Sequence, residues 1–440
     1  MDPTAEPIIS KTAKPTFRKP TPKTTLRPSV TPSNPSTEPS SEGEEATPPI
    51  FNPTFQPLPF PPTIRPDAPT FKPIPFTGKI GYFSTREGQI VDQYGNNIRI
   101  TGINWYGFET SSFCPGGLNV RTYRSILLQM KEIGFNAFRI PWSDEMLLPA
   151  SAPLAIDYSI NPDLAGLSPV EVLDKIVEYC GEIGMRIILD RHSCQANGSP
   201  KEPYWYIPGD PYYTEAQVRA DWVMMAQRYA GNPTVIGMDL WNEPKGNTLW
   251  TEWFLAAERI GNAILAVNPK LLIIVEGTGE NFVWWGSNLY GAIANPVVLT
   301  YPDQLLYSAH DYGTSVFPQL YLNLNDTNFP HDLKDIWTPY WAYLFIDNPN
   351  PRPVFVGEFG DPLTKKVNQV WMKTLLDFMN GDYYLNGVNQ LLPGQKGVSW
   401  TYWTINPGGD TTGILQNDWL TVDPIKLEYI GPSLAPLLLT

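Results

Sequence analysis

From about residue 79 onward, apolar positions come in short runs separated by polar loops and amphipathic stretches. Residues 80–90 and 97–103 alternate on either side of the turn-forming segment 92–96, which predicts a short hairpin running into a first core strand. Apolar runs then recur at residues 98–103, 137–140, 186–189, 235–240, 271–275, 305–309, 354–356 and 398–402. Between them lie stretches with helical spacing at 120–133, 169–183, 215–229, 252–267 and 367–379. Strands that alternate with helices imply a parallel sheet, and eight such units close a (β/α)8 TIM barrel. An open doubly wound sheet is the alternative, but no glycine-rich phosphate loop follows the first strand.

A barrel of this kind places its chemistry at the C-terminal ends of its strands. The residues there are Asn104 and Trp105, Arg139, His192, Asn242 and Glu243, Glu276, His310 and Tyr312, Glu358, and Trp403. A lone glutamate is usually a surface or ion-paired residue. Glu243 and Glu358, however, end the fourth and seventh runs, which face each other across the mouth. Two carboxyls so placed suit a bond held between them, one attacking a sugar carbon while the other protonates the leaving oxygen. Two of the three histidines, His192 and His310, also fall at strand ends.

Several motifs carry a family resemblance: Trp241-Asn242-Glu243-Pro244, Val356-Gly357-Glu358-Phe359-Gly360, Arg139-Ile140-Pro141, His310-Asp311-Tyr312, and Gly102 to Glu109. Together they resemble glycoside hydrolase family five, in particular its microbial endo-β-1,4-glucanases, in register from about Gly81 to Pro432. The resemblance implies that Glu243 is the general acid/base, with a raised pKa, and Glu358 the nucleophile of a double displacement on β-glucan. It places Arg139 beside Glu358, favouring its ionised form, and has Tyr312 donate a hydrogen bond to the same carboxylate. Asn242 should bind the sugar 2-hydroxyl, and His192 and His310 should wall in that sugar. Trp403 should stack beneath it, with Trp285, and Trp205 as a further candidate, extending the cleft. One departure bears on specificity. Where many relatives carry His-Gly-Leu-x-Trp, this chain reads Gly116-Gly117-Leu118 followed by Asn119. A retaining mannanase or xyloglucanase therefore stays open as an alternative, as does a catalytically silent wall-binding barrel. No three-ligand spacing of the zinc kind occurs, so neither metal nor cofactor is expected.

Composition adds a boundary and a compartment. Of 47 prolines, 20 precede Gly78, in a stretch without Trp, Tyr, His or Cys. Residues 1–77 are therefore expected to form a disordered Pro/Thr/Ser-rich tail, and 78–440 the catalytic domain. The Pro-Thr and Pro-Ser pairs resemble O-glycosylated stalks, although a low-complexity tail without function is the plainer reading. The tail carries a balance of +1, so the total of −13 leaves −14 on the remainder. That acidity disfavours nucleic acid and anionic membranes and suits a neutral polysaccharide, bound by a monomer. No signal-peptide core follows Met1. Cys114 and Cys194 fall in expected loops and Cys180 in a helix, which predicts a Cys114–Cys194 disulfide and a secreted, extracellular protein. Sequons at Asn197 and Asn325 are compatible with secretion.

Overall fold

The computed structural model describes residues 81–198, 204–245, 248–280 and 285–438. The expected tail, residues 1–77, lies outside them.

Three short strands, β1 (Ser84–Arg86), β2 (Gln89–Val91) and β3 (Asn97–Ile98), form an antiparallel sheet. The expected hairpin about residues 92–96 is β2 paired with β3, and β1 adds another hairpin ahead of it. The tight turn of this added hairpin is Glu87-Gly88, both in the left-handed region at φ +49° and +74°, which matches the twist of a two-residue connection. The segment 92–96 makes the second turn, where Asp92 Oδ1 accepts the N–H groups of Tyr94 and Asn96, each at 2.9 Å. The first apolar run also splits at Arg99-Ile100. Asn97–Ile98 pairs with β2, and Thr101–Asn104 joins the barrel as β4.

The remaining barrel strands are β5 (Ala137–Ser143), β6 (Arg186–Ser193), β7 (Val235–Asp239), β8 (Leu272–Glu276), β9 (Leu305–Tyr312), β10 (Val354–Gly360) and β11 (Ser399–Tyr402). They pair in sequence order, all parallel, and the barrel closes where β11 pairs with β4. Around them lie α1 (Tyr123–Ile133), α2 (Pro169–Ile183), α3 (Glu215–Arg228), α4 (Trp250–Val267), α5 (Leu333–Trp337), α6 (Lys366–Met379) and α7 (Pro424–Ile430). Start signals are local. Thr122 caps α1, and Ser168 with Glu171 forms a reciprocal capping box ahead of Pro169 at the first turn of α2. Gly134 and Gly184 stop the same two helices in left-handed conformations.

Apolar side chains occupy both sides of the barrel wall. A large cluster lies between strands and helices, and a second joins Ile188, Ile236, Ile274, Leu306 and Phe355 to Phe83 and Ile90 of the small sheet. The small sheet thus packs on the apolar interior near the N-terminal strand ends, and Asp190, Asp239, Glu276 and Glu358 lie toward the other end. Among the described residues no helix is long and apolar enough to cross a membrane.

The expected Cys114–Cys194 disulfide is absent: all three cysteines are buried and none is joined to another. Burial raises the Cys114 thiol, which lies against the backbone of Leu154 and Ala155. Cys194 Sγ instead faces Arg191 Nη2 at 3.3 Å. The two sulfurs are held by different neighbours, and no compartment follows from them.

Candidate active site

Arg139, from β5, is the hub of the mouth and is wholly buried. Its Nη1 meets Glu358 Oε1 at 2.5 Å, Asp190 Oδ2 at 3.1 Å and Asn104 Oδ1 at 3.2 Å. Nε donates to Asp239 Oδ2 at 2.9 Å, while Nη2 donates to Asn242 Oδ1 at 2.9 Å and Glu276 Oε1 at 3.1 Å. Strands β4, β6, β7, β8 and β10 supply these partners or lead directly into them. A planar guanidinium with five N–H donors can satisfy such a ring, and an ammonium cannot.

Glu358 is aimed by a bulge. Between β9 and β10 the register jumps from Val356 to Glu358, which lies opposite His310. The skipped residue is Gly357, where a Cβ would lie 2.8 Å from His310 Nε2 and 2.9 Å from Ser308 Oγ. With glycine there, the strand can bend and present Glu358 to the mouth. Arg139 takes one carboxylate oxygen, and Tyr312 Oη donates to the other.

Glu243 follows β7 with its backbone in the left-handed region, at φ +47°. His310 Nδ1 lies 3.2 Å from its Oε1. An oxygen of Glu243 and one of Glu358 lie within 4.8 Å of each other. Burial pushes Glu243 up, but the hydrogen bond and charge of His310, with Lys245 and His192, outweigh it and hold the carboxyl below its ordinary range. Burial opposes a proton on His310, yet Glu276, Glu358 and the contact with Glu243 hold that imidazole well above its usual value. The expected raised pKa of Glu243 is therefore corrected: in the free protein His310 holds it down.

The other expected residues converge around this pair. His192 donates from Nδ1 to Asp190 Oδ2 at 2.7 Å, and despite burial the aspartate lifts it to about 9. Asn242 Nδ2 lies 3.5 Å from His192 Nε2. The Trp403 ring is half-buried and parallel to two others, Tyr106 at 5.5 Å and His192 at 5.7 Å between centroids. Trp285 stands edge-on to Tyr312, with centroids 5.2 Å apart. Trp205 departs from expectation. It is 5% exposed, packed against Trp253, and its carbonyl accepts from Arg191, so it builds the wall and offers no open platform.

Sequence reasoning placed Asn104 and Glu276 at strand ends without a specific role, and gave none to Tyr106, Asp190 or Asp239. The available signal was a polar residue at or near the C-terminal end of an otherwise apolar run, as with Asp239 after Met238. Lys426 was also missed. From α7 it inserts its ammonium into the loop after Trp403, donating to the carbonyls of Thr411 at 2.8 Å and Thr412 at 2.6 Å, and to Gly413. That loop returns to the strand end through Ile414 N–H to Thr404 O at 2.6 Å. Lys426→Met should leave these carbonyls unpaired. We expect a loss of about 2 to 3 kcal/mol in urea unfolding and a raised KM as Trp403 loses its backing.

A family model described as Cellulase (glycosyl hydrolase family 5) matches residues 91–409. An endoglucanase of Paenibacillus polymyxa is 40% identical over 373 residues, covering 81% of this chain and 88% of the relative. The major extracellular endoglucanase of Xanthomonas campestris pv. campestris is 35% identical over 356 residues, covering 78% and 69% respectively. The complex of a variant endocellulase from Pyrococcus horikoshii with cellotetraose superposes with a TM-score of 0.71 at 33% identity, covering 81% of this chain and 99% of that one.

Proposed function

Because this chain belongs to glycosyl hydrolase family 5, the cellulase family, we propose that its mouth hydrolyses cellulose-like and mixed-linkage β-glucans with net retention. The chain is a glycoside hydrolase of the endo-1,4-β-glucanase kind, acting on polysaccharide. The observation that carries the retaining reading is that one carboxylate oxygen of Glu243 lies within 4.8 Å of one of Glu358. Retaining pairs stand about 5 to 5.5 Å apart, whereas inverting pairs leave at least about 6.5 Å for a water.

In this reading Glu358 attacks the anomeric carbon, forming a glycosyl ester as the glycosidic bond breaks. Arg139 and Tyr312 fix both of its oxygens, so the attacking geometry is set before substrate arrives. The departing oxygen takes its proton from Glu243, supplied from His310 Nδ1 at 3.2 Å. Once Glu358 is esterified its negative charge is gone, and Glu243 accepts a proton from the water that opens the ester. Asn242 Nδ2 serves the sugar 2-hydroxyl, His192 and His310 wall in that sugar, and Trp403 and Trp285 present ring faces to glucose CH groups. The acidity of the chain suits a neutral glucan. A secreted enzyme is consistent with the relative named as extracellular.

Two measurements on the wild-type protein test this reading. The first product seen by proton NMR should be the β-anomer, with the α-anomer arising only by mutarotation. Viscosity of carboxymethyl cellulose and barley β-glucan should fall well ahead of the rise in reducing ends. An α-anomer appearing first would overturn retention. Activity confined to glucomannan or xyloglucan would move the substrate assignment to Gly116-Gly117-Leu118-Asn119.

A further inference from the structure

Glu276, at the end of β8, is fully buried and makes three contacts at once. Its Oε2 accepts the backbone N–H of Glu243 at 2.7 Å. Its Oε1 lies 3.1 Å from Arg139 Nη2 and 3.2 Å from His310 Nε2. The histidine contact is one of charge, since His310 Nε2 makes no hydrogen bond. His310 thus lies between two carboxylates, with Glu243 on one nitrogen and Glu276 near the other.

The backbone of Glu243 needs such support. At φ +47° a residue with a side chain sits in a sparsely populated region, held only when its surroundings over-determine it. The same carboxylate also bounds the loop that carries Trp285. A Cβ on Gly286, at φ +62°, would lie 2.4 Å from Glu276 Oε2 and 3.4 Å from the Cα of Glu243. Three neighbouring parts of the mouth therefore meet at one carboxylate: the acid/base backbone, the histidine beside it and the Trp285 loop.

We propose that Glu276 is a positioning residue for Glu243, fixing the acid/base backbone and, through His310, keeping a transferable proton beside its carboxyl. The proposal rests on the assignment of Glu243 as acid/base. Glu276 touches the reaction only through its neighbours, so its removal should damage proton donation more than attack by Glu358. The charged and titratable groups facing it are Arg139 from β5, Asp190 from β6, Asp239 from β7 and His310 from β9, with Glu243 just beyond β7. Removing a negative charge from this set loosens the proton of the His310–Glu243 pair, whichever member holds it.

The test uses aryl β-cellobiosides whose leaving groups run from 2,4-dinitrophenol, which departs without a proton, to phenol, which needs one. Folded sites are counted by the dinitrophenolate burst from 2,4-dinitrophenyl 2-deoxy-2-fluoro-β-cellobioside. Per folded site, Glu276→Gln should lose about 100-fold in kcat/KM on the phenyl substrate and little on the dinitrophenyl one. The alkaline limb of the phenyl-substrate pH profile should move acidward by about one unit. Gly286→Ala, which displaces the Glu276 carboxylate without altering its charge, should reproduce the leaving-group pattern. Equal losses across the series in both variants, with an unmoved pH limb, would overturn the proposal and leave Glu276 a structural residue. Should Glu243→Gln itself show no leaving-group dependence, the acid/base assignment fails, and this proposal with it.

Discussion

Glu358→Gln should lower kcat on β-glucan by at least about 10⁴-fold, equivalent to about 5.4 kcal/mol of lost transition-state stabilisation. The amide keeps the shape: its oxygen can accept from Arg139 while its NH2 donates to Tyr312 Oη, whose hydroxyl turns away, so polymer binding should persist, as affinity electrophoresis in β-glucan would register. A sharper outcome comes from Glu358→Ala with azide. Removing the side chain opens a space on the face of the sugar that the carboxylate occupied, and azide entering there displaces 2,4-dinitrophenolate directly. The single inversion should give α-cellobiosyl azide. Glu243→Ala should give the β-azide, because Glu358 still forms the ester and azide then opens it from the other face. Carbon-13 NMR of the two products separates the roles. An α-azide from Glu243→Ala and a β-azide from Glu358→Ala would reverse the assignments.

The barrel was legible because each strand is buried on both faces, which makes it a continuous apolar run of the right length. Boundaries failed where local chemistry competed with periodicity. At Arg99-Ile100 the apolar pattern runs on, but the pairing changes partner. Arg99 there donates to Val398 O and Met379 O, tying the crossover down in a way no one-dimensional pattern records. The Glu87-Gly88 turn was overlooked because the pair does not interrupt the alternation of residues 80–90.

Within the site, the residues at strand ends were readable because the fold decides which way they point. Asp239 lies within a run that otherwise reads as core and Asp190 directly after one, and their meaning depends on Arg139, 100 and 51 positions earlier in the sequence. The pKa of Glu243 was misjudged for a related reason. Its partner His310 comes from a different strand, and which of two touching groups keeps a proton depends on every charge around both. The disulfide failed likewise, because a loop position says nothing about where a sulfur points.

Arg139→Met should be the most destabilising substitution in the mouth, and its cost should grow with pH. One guanidinium faces Asp190, Asp239, Glu276 and Glu358, so its loss strands several buried carboxylates together. Breaking a buried ion pair on one side costs about 3 to 5 kcal/mol. At neutral pH we expect at least this in urea unfolding. In the wild-type protein burial pushes Asp190 up, but Arg139 and His192 bring it below the ordinary range; losing Arg139 removes the largest influence opposing burial, so its pKa should rise. Asp239 and Glu276 are already raised, chiefly by burial, with Arg139 opposing. In the variant these carboxyls bind protons in the folded state that the unfolded chain, with pKa values near about 4, has released. Stability falls with pH wherever the folded state binds more protons. The deficit against wild type should therefore be smallest near pH 5 and larger at pH 7.5. Arg139→Lys keeps one charge but cannot reach all the acceptors, so it should recover part of the stability and little of the kcat. A deficit independent of pH would mean that Arg139 acts by packing alone, and that the carboxylates around it are not charged in the way the geometry requires.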